Sequence, residues 1–125
     1  MSATLERAGE LVGEILDHLT AAAIDNVTVT LDLLKVPAAL ANGPVVAVQP
    51  PKLDFTATMA GSATEYTWEL FVIAGPASDR LAAWAAIDPI VYALKDPMDL
   101  DSAEPATFDH PSMPSYPAYV LTFTE

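Results

Sequence analysis

Hydrophobic and polar positions alternate along this chain with two different periods, and the changes of period mark its elements. Leu5, Ala8, Val12, Ile15, Leu16 and Leu19 recur every three or four residues, which predicts an amphipathic helix from about residue 3 to 22. Glu6, Glu10, Glu14, Asp17 and His18 lie mostly off that stripe, and Ser2 or Thr4 can cap its start. Asp25-Asn26 supplies a turn. Val27, Val29, Leu31 and Leu33 then alternate with Thr28, Thr30 and Asp32, the pattern of a half-buried strand. Residues 37–42 fit a short helical turn ended by Asn42-Gly43-Pro44, and Val45–Val48 reads as a buried strand stopped by Pro50-Pro51.

The middle of the chain is patterned most strongly. Leu53, Phe55 and Ala57 alternate with Asp54, Thr56 and Thr58, and the 59–64 loop around Gly61 joins this run to a second one as a long hairpin. The second run, from Glu65 to Ala74, carries Tyr66, Trp68, Leu70 and Val72 on one face and Thr67, Glu69, Phe71 and Ile73 on the other. Both faces turn apolar toward its end, so it is expected to be central and covered on two sides there. After Gly75-Pro76, a helix is predicted from about Ser78, with Leu81, Trp84, Ile87, Val91 and Leu94 on its buried stripe and Ala82, Ala83, Ala85 and Ala86 allowing close approach. Pro89 either kinks it or opens a second short helix capped by Asp88. Residues 96–117 read as a long, acidic, proline-rich loop with a possible strand at Ala106–Phe108. Ala118–Thr124 closes the chain as a strand with Tyr119, Leu121 and Phe123 on one face.

These elements predict one α+β domain over 1–125: a mixed, mainly antiparallel sheet flanked by the N-terminal helix and by the helix after the central strand. A chain of 125 residues is long enough to bury a sizeable core. Composition adds that 52% of residues are hydrophobic and only 18% charged, yet the charges are strongly one-signed: 17 acidic against 5 basic, net −12. That apolar content exceeds what a lone monomer needs and points to surface covered by partners. The scattered cations Arg7, Lys35, Lys52, Arg80 and Lys95 argue against phosphate binding, and the net charge disfavours anionic membranes. An acidic wall would instead let DNA slide past without sticking; solubility alone would also account for the charge. With no cysteine, no disulfide or thiolate metal site is available. Neither a secretory leader nor a membrane-length apolar run is visible, so the chain reads as a soluble intracellular product.

Candidate chemistry is sparse. Asp99, Asp101, Glu104, Asp109 and His110 cluster late in the chain, but Ala103 and Pro105 stand where a calcium loop needs an oxygen ligand and a turn glycine. His18 and His110 have no Cys or second nearby His for zinc. There is no nucleophile elbow, phosphate loop or dinucleotide fingerprint, and the pair Asp99 and Asp101 has no pocket in view to split its pKa values. Trp68 and Trp84 could stack a ligand, but at core spacing they read as packing residues. The expectation is no enzyme, no catalytic residues, no metal site and no cofactor.

The order of elements, with Val27–Asp32 as VTVTLD, Val45–Val48 leading into Gln-Pro-Pro, Trp68–Gly75 as WELFVIAG, a Trp-bearing helix opened by Ser-Asp-Arg, and Tyr116–Thr122 as YPAYVLT, resembles the small tail terminator (tail completion) proteins of long-tailed bacteriophages, especially those infecting actinobacteria. The resemblance covers nearly the whole chain through short apolar phrases, and the Ala-rich composition fits a high-GC host. It implies a non-catalytic structural protein that forms a ring, commonly a hexamer, on the head-proximal end of the tail tube at the head–tail junction of the virion, after assembly in the host cytoplasm. Implied partners are further copies of itself, the tail tube protein and the neck or connector protein of the head, with genomic DNA passing through the lumen unbound and no membrane contact. The 59–64 loop and residues 96–117 are the expected contact surfaces, since long loops on a rigid sheet commonly carry binding. A head-completion or stopper-type neck protein is the nearest alternative. A small-ligand-binding α+β domain using Trp68 or Trp84 is the alternative from another class.

Overall fold

The N-terminal stripe folds as helix α1 (Ala3–Ala21), and the alternation after it yields a short strand β1 (Thr28–Thr30), a 3-10 turn (Leu33–Lys35) and a short helix α2 (Val36–Leu40). Strands β2 (Val45–Val48), β3 (Lys52–Asp54) and β4 (Glu65–Ile73) follow, then helix α3 (Arg80–Lys95) and strands β5 (Ser102–His110) and β6 (Met113–Thr124). This computed structural model describes residues 3–54, 65–75, 79–110 and 113–125, with the backbone alone at 110, 113 and 114. The expected 59–64 loop and Ser78 lie outside the described residues. The strands form one mixed sheet in the order β1-β2-β4-β6-β5, with β3 also paired to β4. β1 and β2 are parallel and the other described pairs antiparallel. The α+β class, the helix at the N-terminus and the helix after the central strand are as expected.

The two faces of the sheet are covered unequally. α1 and α3 pack on one face, where Ala8, Leu11, Ile15 and Leu19 of α1 and Ala83, Ile87, Ile90 and Leu94 of α3 meet Val46, Val48, Trp68, Leu70, Val72, Leu121 and Phe123. On the other face α2 seals a smaller cluster of Val36, Leu40, Val45, Ala47, Ile73 and Ala118. β4 therefore sits mid-sheet with Val72 and Ile73 buried on opposite faces, as its doubly apolar end predicts. Val48 pairs with Leu70 while Lys52 pairs with Thr67, so three residues of the edge chain span the length of two on β4. Pro50 and Pro51 occupy this bulge, where the missing N–H groups interrupt no continuous ladder.

Several elements depart from the expected pattern. The strand expected through Leu33 ends at Thr30, because the Thr30 hydroxyl accepts from the Asp32 N–H at 3.0 Å and the Asp32 carboxylate accepts from the Leu34 N–H at 2.9 Å. These local bonds turn the chain out of the ladder and leave Leu31, Leu33 and Leu34 on an exposed corner. On α1, Leu11 is buried in place of Leu5 and Leu16, which are exposed. On α3, Ala83, Ile87, Ile90 and Leu94 form the buried stripe, while Leu81 and Trp84 face outward and Val91 is only half-buried. Of the four alanines expected to ease packing, Ala83 alone is buried. α3 is apolar almost all round, so its pattern does not fix which face turns inward. Asp79 caps it, its carboxylate accepting from the Ala82 N–H at 2.8 Å, and the helix runs unbroken through Pro89.

The largest correction lies within residues 96–117, where Ser102–His110 and Met113 onward fold as strands β5 and β6 and not as parts of one long loop. β5 and β6 form a ribbon paired from Ser102–Thr122 to His110–Met113. Asp109 faces both Pro114 and Ser115 across a bulge and accepts a hydrogen bond from the Ser115 hydroxyl. β5 has a neighbour on one side only, and this is what lets Pro105 sit within a strand.

Both long helices end in the same way without glycine. Ile24 N–H bonds to Leu19 C=O and Ala23 N–H to Thr20 C=O; Leu100 N–H bonds to Lys95 C=O and Asp99 N–H to Asp96 C=O. Each is a Schellman cap whose left-handed residue is Ala23 (φ 60°) or Asp99 (φ 51°). An alanine held in that region costs about 1–2 kcal/mol, so Ala23→Gly is expected to raise stability by about 0.5–1 kcal/mol after the entropy glycine adds to the unfolded chain. Asp99→Gly should gain less, because aspartate tolerates this conformation better. Urea unfolding midpoints of the two variants measure both effects, and a loss of stability in Ala23→Gly would contradict this account of the cap.

Candidate functional site

No catalytic constellation emerges from the described residues. Among them, no group of three or more His, Asp or Glu side chains is placed to hold a metal ion. Asp99 serves as the left-handed cap of α3, the Asp101 carboxylate accepts from the Thr124 hydroxyl at 3.1 Å, and Glu104 and Asp109 lie further along β5. The acidic residues that neighbour one another in sequence are thus spread along a ribbon. His18 sits in the last turn of α1, and the His110 side chain lies outside the described atoms. Among the described residues no helix is long and apolar enough to cross a membrane.

The strongest polar cluster ties α1 to the end of the chain. The Arg7 guanidinium donates from Nε and Nη2 to the two carboxylate oxygens of Glu125 at 2.7 and 2.8 Å, and from Nη1 to Glu10 at 3.2 Å and Glu14 at 2.5 Å. Hydrogen bonds from Arg7 hold the Glu125 carboxyl below its usual range, against the partial desolvation that would raise it. Glu125 in turn accepts from the Trp68 indole N–H at 3.2 Å, and its backbone exchanges both hydrogen bonds with Tyr66. This network is structural: it leaves Trp68 fully buried, with Tyr66 edge-on at a ring separation of 6.1 Å, and removes it as a stacking platform for a ligand. No local pattern in the sequence signals this tie, since Arg7 and Glu125 are 118 residues apart.

The surfaces that stand out are apolar and lie at opposite edges of the sheet. Beyond β1, Leu34 is 86% exposed at the tip of the corner, with Leu31 and Leu33 beside it. Leu5, Leu31, Pro50 and Pro51 line a shallow recess of about 190 Å³ along the same edge. At the far edge, α3 leaves Leu81, Trp84 and Tyr92 exposed at 70, 50 and 66%. Between α3 and β5 run two adjoining recesses of about 240 and 320 Å³ that share Tyr119: one is walled by Arg80, Trp84, Ile87 and Pro105, the other by Asp88, Tyr92, Lys95, Asp101 and Ala103. Trp84, expected in the core, is thus a surface residue. Of the two expected contact surfaces, residues 59–64 fall outside the description, while residues 96–117 contribute the β5 wall of this groove. In comparisons with known proteins, no family model, no curated protein and no solved structure matches this chain.

Proposed function

We propose that this chain is a ring-forming structural protein of the phage tail terminator type, which caps the head-proximal end of a tail tube, ends its polymerisation and joins it to the neck of the head. The observation that carries the reading is the pair of exposed apolar surfaces at opposite edges of one sheet, the β1 corner and the α3–β5 groove. A subunit with two different sticky edges associates head to tail, and such contacts close into a ring when the rotation between copies allows. The net charge of −12 supports the same reading, because an acidic lumen passes DNA without holding it. No cofactor enters this role, and its partners are further copies of the chain, in a ring such as a hexamer, the tail tube protein and the neck protein.

Native mass spectrometry and electron microscopy of the purified protein, alone and with isolated tail tubes, test the proposal. Closed rings are expected, at least on tube ends, and tubes so capped should not elongate when tube protein is added. A protein that stays monomeric with tubes present overturns the reading. Binding to DNA-filled heads in place of tubes would assign it to the neck as a head-completion or stopper component.

A further inference from the structure

We propose that Asn42 is a site of spontaneous covalent modification, losing its side-chain amide to become aspartate or isoaspartate, and that opening of the turn between α2 and β2 sets the rate. The chain has two asparagines, Asn26 and Asn42, and of these only Asn42 precedes a glycine. The backbone nitrogen of Gly43 gives up its proton and attacks the carbonyl carbon of the Asn42 side chain, closing a succinimide ring and expelling ammonia. Water then opens the ring at either carbonyl, leaving a carboxylate; no oxidant or cofactor is needed. Glycine leaves the attack unhindered because it has no Cβ, whereas the branched side chain of Val27 screens the nitrogen that follows Asn26. Asn42 is exposed, so water reaches it.

The fold restrains this step. The Asn42 N–H donates to the Ala39 carbonyl at 3.0 Å and the Gly43 N–H to the Leu40 carbonyl at 3.2 Å, winding the chain through the pair. A nitrogen engaged as a donor resists the deprotonation that attack requires, and ring closure would rotate the peptide group out of that bond. Gly43 has no room to swing either. Its backbone, at φ 138°, is packed so closely that a Cβ on it would stand 2.6 Å from the Asn26 carbonyl oxygen, and a Cβ on Gly75 would stand 2.8 Å from the Gly43 carbonyl carbon. On the far side, the Thr28 N–H holds the Pro44 carbonyl at 3.1 Å. The near side is fastened by α2 through Val36 and Leu40 in the smaller cluster. Reaction therefore proceeds through molecules in which α2 has lifted, a local opening that needs less free energy than global unfolding. The isoaspartate product lengthens the main chain at residue 42, beside the gripped Gly43, and either product adds a carboxylate to a chain of net −12.

Peptide mass spectrometry of the full chain, aged in mildly alkaline buffer with and without unfolding guanidinium, tests the proposal. Cleavage after Lys35 and Lys52 isolates Asn42 on one peptide, and Asn26 on another serves as the internal control. Conversion is expected at Asn42 and not at Asn26, at a rate roughly tenfold or more slower in buffer than in denaturant. Val36→Ala, which loosens α2 without touching the Asn-Gly pair, should speed the reaction in buffer severalfold and leave the rate in denaturant unchanged. Where that variant fails to fold, hydrogen exchange of the Gly43 amide in the unsubstituted chain decides: its slowing relative to the denatured chain should match that of the reaction to within about threefold. An Asn42 that stays unreacted in denaturant overturns the site. Equal rates in buffer and denaturant, a folded Val36→Ala with the parent rate, or a Gly43 exchange that does not track the reaction overturns the gate.

Discussion

Trp68→Ala is expected to lower the free energy of unfolding by about 3–5 kcal/mol, the range for deleting a large aromatic side chain from a packed core. Against the 5–15 kcal/mol typical of a whole domain, this is the most damaging single truncation foreseen. The indole is fully buried at the centre of the larger cluster, on the mid-sheet strand β4, and is paired with Phe123 of β6. Its removal leaves a cavity under α1 and α3 and also strips Glu125 of one donor while Arg7 still holds it. Trp68→Phe separates these effects: it keeps most of the packing, loses the indole N–H and should cost about 1–2 kcal/mol. Urea titration followed by far-ultraviolet circular dichroism measures both. A Trp68→Ala variant within 1 kcal/mol or so of the parent would mean that the core closes over the gap in a way this packing does not permit.

Gly43→Ala should cost about 2–4 kcal/mol, from backbone strain and overpacking together. Gly43 lies at φ 138°, a region nearly closed to other residues, and a Cβ there would stand 2.6 Å from the Asn26 carbonyl oxygen. Three chain segments meet at this point: the turn before β1, the turn before β2 and the end of β4, where a Cβ on Gly75 would come within 2.8 Å of the Gly43 backbone. Gly75→Ala is the informative companion, since it brings crowding without the positive φ and should cost about 1–3 kcal/mol. Thermal midpoints of the pair rank the two contributions, and equal midpoints would show that φ strain at Gly43 is relieved by local movement. A shift of either midpoint also reports on the β1–β2 register, because the Thr28 N–H bonds to the Pro44 C=O beside this contact.

The elements legible in the sequence are those whose pattern matches their burial. β2 and the end of β4 read as apolar runs because both of their faces are covered, and the inward set Tyr66, Trp68, Leu70 and Val72 keeps a strict period of two. The final strand with Tyr119, Leu121 and Phe123 facing the helices is equally plain. Residues 102–110 show little signal beyond the possible strand at Ala106–Phe108, since an edge strand with exposed side chains has little reason to alternate, and Pro105 there argues for a loop. The rotation of α3 was also illegible. Trp84 and Leu81 are as apolar as the buried Ile87 and Ile90, so only the position of the sheet decides which stripe turns inward.

The candidate surfaces divide in the same way. An apolar excess beside a one-signed charge is a property of composition, and it pointed to covered surface before any contact was known. Where that surface lies depends on contacts distant in sequence. Leu31 and Leu33 pass from strand face to exposed corner because two short hydrogen-bonded turns at Asp32 break the alternation. The groove exists only because β5 pairs with β6 and places Pro105 and Ala103 beside α3. The sequence by itself determined the α+β class, the central strand and the flanking helices, since side-chain periodicity is a local property that burial enforces on each element. The tertiary structure alone decided the facing of α3, the pairing of β5 with β6, the Arg7–Glu125–Trp68 tie and the two apolar edges, because each arises from strand pairing and packing between residues that no local pattern connects.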